Sequence, residues 1–180
     1  MTRQIRLPLN QGTALSLHAG DEVELTGSVI TGRDQACGRL FRLLSEGSSL
    51  PVDLTSEIMY FVGPTPAQPG AVIGSAGPTT SGRMNPYLPA LLAHGLRGFI
   101  GKGHISDQVK QSLVQHRCVY FGAVGGTGAL LSAAIEQVEV IAFEDLLTEA
   151  IRRLQLNRFP AVVLCDAHGQ NLYAQAIGEQ

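Results

Sequence analysis

Lysine and cysteine are scarce in this chain of 180 residues, which has two lysines against eleven arginines and only three cysteines. Cys37, Cys118 and Cys165 lie far apart with no CxxC spacing, which suggests neither a disulfide framework nor a zinc site; buried free thiols in a reducing compartment are expected. No stretch approaches the ~20 apolar residues of a membrane span. The N-terminal MTRQIRLPLNQG has no apolar signal-peptide core. A soluble cytoplasmic protein with no membrane partner follows as the expectation. The formal net charge is −2, so there is no basic field to attract nucleic acid. No GxSxG elbow, HExxH motif, long repeat or low-complexity segment occurs. The excess of arginine is mostly a matter of solvated faces, but a planar guanidinium fork also matches carboxylate or phosphate.

A hydrophobic share of 44% is enough for a sizeable core. The length suits a single domain over 1–180. The early part reads as β-rich: DEVELTGSVIT (21–31) predicts a strand, a bend or bulge at Gly27, and a strand. In 33–47, Cys37, Leu40, Phe41 and Leu44 recur at helical spacing and predict an amphipathic helix. Short apolar runs follow at 58–64 and 71–78. Asn85 and Pro86 predict a helix start, with Asn85 as N-cap. Then GFIGKG, CVYFGAVGG and VEVIAF read as strands. SDQVKQSLVQH, TGALLSAAI and EDLLTEAIRRLQL read as helices. AVVLCDAHGQNLY reads as a hairpin turning at Asp-Ala-His-Gly. Alternating strands and helices argue for an α/β fold with a mixed, partly parallel central sheet and a β-rich N-terminal portion.

Glycines gather where the apolar runs end, at Gly63, Gly77, Gly101, Gly103, Gly125 and Gly126. Ligands of open α/β sheets collect at the carboxyl ends of strands, so GPTTSGR, GKG and GGTG are expected on one rim. In GPTTSGR, Thr79, Thr80 and Ser81 offer hydroxyls, Arg83 offers a fork, and the glycines admit a ligand close to the backbone. The Gly77–Gly82 spacing is that of a P-loop, but Arg83 and Met84 stand where Lys and Ser or Thr belong, and Pro78 lacks an N–H. Lys102 stands between two glycines; it is either an exposed turn lysine or an anion binder. In TGRD, Asp34 reads as an acid in the first helical turn and Arg33 as a third cation on the rim. Three cations among hydroxyls suit a small dianion such as a dicarboxylate held at both ends. An acid–base pair, a metal set and an activated nucleophile are missing, so the rim reads as half of an active site.

The order GPTTSGRM, Y…LL…G, IGKG, GG…ALL…I…VEV, EDL…EAI and FPA…D…G…LY resembles the β subunit of the iron–sulfur hydro-lyases. These are the class I fumarases and L-tartrate dehydratases. Upstream, GDEVELTGSVITGRD and GP.P..PG fit as well, so the resemblance runs from about Leu7 to Tyr173. It implies a swivelling β/β/α domain that reversibly hydrates or dehydrates a small hydroxy-dicarboxylate, fumarate and malate first. It also implies a 4Fe–4S cluster held by the three cysteines of a separate α region, hence a cluster-bearing α subunit as partner in a hetero-oligomer such as α2β2. By position, Thr79 matches the catalytic base, and Arg33, Arg83 and Lys102 match the carboxylate binders, with Thr80 beside them; Arg83 is expected to serve catalysis as well as binding. No metal ligand is expected in this chain. One departure stands out: the family usually reads RDxAH where this chain reads RDQAC, so Cys37 replaces a histidine; if that histidine orients Arg33 or a substrate carboxylate, altered specificity or weaker activity is expected. The alternatives are an L-tartrate dehydratase β subunit and a non-catalytic dicarboxylate-binding domain.

Overall fold

Strand residues alternate between two faces, and here both faces are apolar. Ile58, Tyr60 and Val62 face one core, while Met59 and Phe61 face another. A sheet with two buried faces needs cover on both. The computed structural model, which describes residues 1–124 and 128–176, supplies it by closing the sheet on itself and packing helices outside. Its elements are β1 (Arg3–Arg6), α1 (Gln11–Leu15), β2 (Glu22–Thr31), α2 (Asp34–Ser45), β3 (Ile58–Tyr60), α3 (Leu88–Ala93), β4 (Gly98–Gly101), α4 (Asp107–His116), β5 (Val119–Ala123), α5 (Gly128–Ser132), β6 (Ile135–Ala142), β7 (Ile151–Cys165) and α6 (Leu172–Ala176). Two 3-10 segments lie at Ser81–Met84 and Glu144–Glu149.

Strands β2, β3, β4 and β5 run parallel in that order. β7 pairs antiparallel with both β5 and β2 and so closes a five-stranded mixed barrel. β1 and β6 are added outside the ring, on β2 and β7. Val23, Leu25, Ile100, Phe121, Leu154, Leu156 and Phe159 fill the inner core. The outer core lies under α2, α3 and α4, where Ala36, Cys37, Leu40, Leu91 and Leu113 meet Met59, Phe61, Phe99 and Tyr120. Among the described residues no helix is long and apolar enough to cross a membrane.

The mixed sheet, the parallel strands, the amphipathic helix after Arg33 and the Ser106-capped α4 match the sequence reading. Gly27 sits at a register shift within one continuous strand, as a bulge. Other expectations are corrected. The stretch 144–156 is not a helix: a 3-10 segment, broken by the left-handed Leu147 (φ 54°), passes into β7. There Ile151, Leu154 and Leu156 face the cores while β2 and β6 take the backbone hydrogen bonds on either side, so tertiary pairing overrides helical spacing. Asn85 caps no helix of its own; its Oδ1 accepts from Ser106 N (3.1 Å), and α3 starts three residues later with Pro89 in its first turn. Residues 71–78 form no strand, and only Ile73 and Ala76 among them are buried. Beyond the Asp-Ala-His-Gly turn the return arm is a single bridge, Cys165 to Asn171, followed by α6. The chain is β-rich late as well as early, for β7 is its longest strand at 15 residues.

Candidate functional site

β2, β3 and β4 end side by side at Thr31, Tyr60 and Gly101, and the expected rim follows those ends. After β3 the chain makes a long excursion and comes back. Thr79 N donates to Phe61 O (2.7 Å). The excursion is tied at its neck by Thr65 N to Ser75 O (3.1 Å), by Ser75 N to Thr65 Oγ1 (2.7 Å), and by the Tyr60 hydroxyl on Ala76 O. Burial pushes the Tyr60 hydroxyl up from its ordinary range, so it stays a donor. Thr80 then forms a parallel bridge to Lys102, and Ser81 N donates to Lys102 O (2.9 Å). The hydroxyl-rich loop and the Gly-Lys-Gly turn are therefore backbone neighbours, as expected, although only the turn follows a strand of its own. Thr79 is half-buried, while Thr80 and Lys102 are exposed. Among the described residues Lys102 makes no ion pair. Of GGTG, Gly125, Gly126 and Thr127 lie outside the described residues; Gly128 O accepts from Ala76 N (3.1 Å).

Arg33 leaves β2 two residues past its end and precedes α2 in extended conformation. A Cβ on Gly63 would lie 2.4 Å from Arg33 Nη1 and 2.9 Å from its Cδ, so a bare backbone at Gly63 makes room for the arginine beside the end of β3. Arg33 Nε lies 3.6 Å from Glu149 Oε1, an ion-pair distance too long for a hydrogen bond. That buried N–H has no hydrogen-bond partner. Arg83 is engaged differently. Its Nε donates to Asp34 Oδ1 (3.0 Å), and its Nη2 sits at ion-pair distance, 2.8 Å, from Asp34 Oδ2 without hydrogen-bond alignment. Asp34 is the first-turn acid the sequence suggests, and it also orients the Arg83 fork. The Nε hydrogen bond leaves the terminal nitrogens of the fork for another anion. The contacts of Asp34 with Arg83 and of Glu149 with Arg33 are not legible in the sequence, because each pair meets only through the fold; Glu149 is more than a hundred residues from Arg33.

Cys37 does not reach the rim. It is fully buried, its Sγ lies 3.6 Å from Met59 Sδ, and burial, with the nearby charges of Asp34 and Glu149, pushes its thiol upward. A surface cavity of about 630 Å³ opens next to Asp34, lined also by Arg39, Arg42 and Tyr87. A second, of about 550 Å³, lies between Pro64–Ala67 and Val138–Val140. Neither includes Thr79, Arg83 or Lys102; Thr80, Arg83 and Lys102 stand exposed on the rim.

The pattern of the family described as "Fumarase C-terminus" matches residues 2–176. The chain belongs to that family. Among relatives of this Fumarase C-terminus chain, the anaerobic class I fumarate hydratase of Escherichia coli is 36% identical over 160 residues, 88% of this chain and 29% of that protein. The mitochondrial fumarate hydratase 1 of Leishmania major is 35% identical over 155 residues, 85% of this chain and 28% of that protein. A provisionally named L(+)-tartrate dehydratase subunit beta of Methanocaldococcus jannaschii is 33% identical over 165 residues, covering 88% of this chain and 85% of that one. The chain thus spans under a third of the fumarate hydratases it matches and most of the β subunit.

Class I fumarases are iron–sulfur enzymes, and the residues of this Fumarase C-terminus domain do not fit a cluster. The three cysteines are free and buried. Burial pushes Cys118 and Cys165 up to about 12, against the thiolate form that ligation needs. Among the described residues no group of three or more His, Cys, Asp or Glu is placed to hold a metal ion.

Proposed function

We propose that this chain, as a single domain over 1–180, is the cytoplasmic β subunit of a two-subunit hydro-lyase. It acts on a small hydroxy-dicarboxylate, malate and fumarate first, and works as a swivelling β/β/α domain against a cluster-bearing α subunit. The 4Fe–4S cluster belongs to that partner. The observation that carries the reading is the backbone union of the Thr79–Arg83 segment with Lys102, beside Arg33, on one open rim. The family membership and the match to most of a β subunit support it.

In this reading Arg83, Lys102 and Arg33 hold the carboxylates, with Thr80 alongside. Their charge stabilises the extra negative charge that builds on a carboxylate as its neighbouring carbon loses a proton. Thr79 takes that proton. Its hydroxyl is a poor base alone, so it passes its own proton to a group of the partner. Asp34 keeps the Arg83 fork aimed, and the glycine at 63 keeps Arg33 against the strand end.

One observation favours a second substrate. The relative matched over most of its own length carries a tartrate dehydratase name, and the same three cations would engage L(+)-tartrate. Rates of the anaerobically assembled pair on L-malate and L(+)-tartrate decide between the two.

Arg83 gives the direct test of the binding role. Arg83→Lys keeps the charge and loses the fork on both Asp34 and substrate. The expected result is a fall in kcat/KM of at least ~10-fold, about 1.4 kcal/mol, in the assembled pair. Wild-type kinetics would remove Arg83 from the site.

A further inference from the structure

Gly103, the residue after Lys102, is held at both its backbone polar groups by tyrosine hydroxyls, one from β5 and one from α6. Tyr120 Oη donates to Gly103 O (2.8 Å), and Gly103 N donates to Tyr173 Oη (3.3 Å). We propose that Tyr120 and Tyr173 are positioning residues for Lys102, and that α6 thereby sets where the lysine ammonium can reach. The inference rests on Lys102 binding a substrate carboxylate.

Lys102 is exposed, with no ion pair among the described residues to fix it. A lysine side chain left free carries about 2 kcal/mol of rotamer entropy. Only its backbone can narrow the space its ammonium samples. On the N-terminal side that backbone is fixed by the pairing of Gly101 with Gly122 and by the Thr80 bridge. On the C-terminal side stands Gly103 at φ +80°, a conformation open to glycine but one of many it can adopt. Without the two hydroxyls the nearest anchors on the C-terminal side would be the buried Ile105 and Ser106 N on Asn85 Oδ1, two and three residues further on.

The anchors differ in kind. Tyr120 belongs to the outer core: its ring stacks on Phe99 (4.7 Å between centroids), which stacks on Phe61 (5.1 Å). Burial raises its hydroxyl, which keeps it a donor. Tyr173 comes from α6, seventy residues from Gly103 in sequence. Its ring packs on His104 (4.5 Å) and its N–H is held by Asn171 Oδ1 (3.0 Å). Leu172 and Tyr173 dock α6 on the outer core. The α6 tether is the one that can be cut without touching the barrel.

Tyr173→Phe keeps the ring against His104 and deletes the oxygen. The test reads Gly103 amide exchange by NMR and titrates the wild-type chain, Tyr173→Phe, Lys102→Ala and the double variant with L-malate. The expected result is Gly103 exchange at least ~10-fold faster, with Ile100 and Tyr120 amides unchanged, because only a local tether is lost. Malate binding weakens ~3-fold or more, as for one lost restraint, and this weakening vanishes in the Lys102→Ala background. Unchanged Gly103 exchange overturns the tether whatever the function. Faster exchange with unaltered malate affinity, or an equal loss in the Lys102→Ala background, overturns the positioning role. If Lys102→Ala leaves malate binding untouched, or malate leaves the wild-type Lys102 amide unmoved, the carboxylate role of Lys102 fails and the positioning role with it. The exchange measurement still stands by itself.

Discussion

Thr79→Val lowers kcat of the assembled pair by at least ~100-fold, the loss expected when a positioned proton acceptor is removed. Valine matches the shape of threonine and lacks only the hydroxyl. The contact that places residue 79 is made by its backbone, N–H to Phe61 O, and survives the change. Arg33, Arg83 and Lys102 remain, so substrate affinity changes little and the loss falls on kcat. Thr80→Val is the control. Thr80 is exposed and joins Lys102 through its backbone, so its variant is hit less hard than Thr79→Val. Steady-state kinetics on L-malate check both. An active Thr79→Val variant, or a Thr80→Val variant hit equally hard, ends the assignment of Thr79.

The second large effect comes from a position with no functional group. A Cβ on Gly101 would lie 1.9 Å from Ser81 Oγ and 3.1 Å from Phe61 Cδ2. Ser81 is fully buried between the two parts of the rim, and its Oγ, near the Tyr120 hydroxyl, lacks a well-formed hydrogen bond. Gly101→Ala therefore forces Ser81 away from β4 and strains the Thr80–Lys102 bridge. The expected cost is about 1–3 kcal/mol of stability, the usual range for overpacking. Activity of the pair falls by at least ~10-fold as Lys102 and Thr79 lose register. Adding Ser81→Ala removes the oxygen in the way and restores most of the stability. Urea unfolding of the single and double variants checks this. A Gly101→Ala chain as stable as wild type, or no recovery in the double variant, contradicts the close packing of loop on turn.

Local signals were legible where they were strong and self-contained. The helix after Arg33 shows in the spacing of Cys37, Leu40 and Leu44, and α4 in the run SDQVKQSLVQH. The expected meeting of GPTTSGR with GKG is seen between Thr80 and Lys102, but the apolar run before Thr79 is no strand, and the loop reaches the barrel edge through Thr79 N on Phe61 O. What the sequence hid is long-range. The run from Glu144 to Leu156 has apolar residues at helical spacing, yet its middle and end belong to a strand, because β2 and β6 wait on either side. Barrel closure by β7 has no local mark at all. At the site, the Asp34 grip on Arg83 joins two residues 49 positions apart, and Tyr173 lies seventy residues past Gly103. A tyrosine in a C-terminal LY pair looks like core filling until its oxygen is seen on the lysine turn.

The central claim is that this chain carries half of an active site. The measurement that tests it most directly is malate dehydration and iron content, assayed anaerobically for the chain alone and for the chain mixed with a cluster-bearing α subunit. The account predicts an iron-free chain that folds and is inactive alone, and a pair that is active and loses its activity with Thr79→Val. Full activity of the iron-free chain by itself would contradict it.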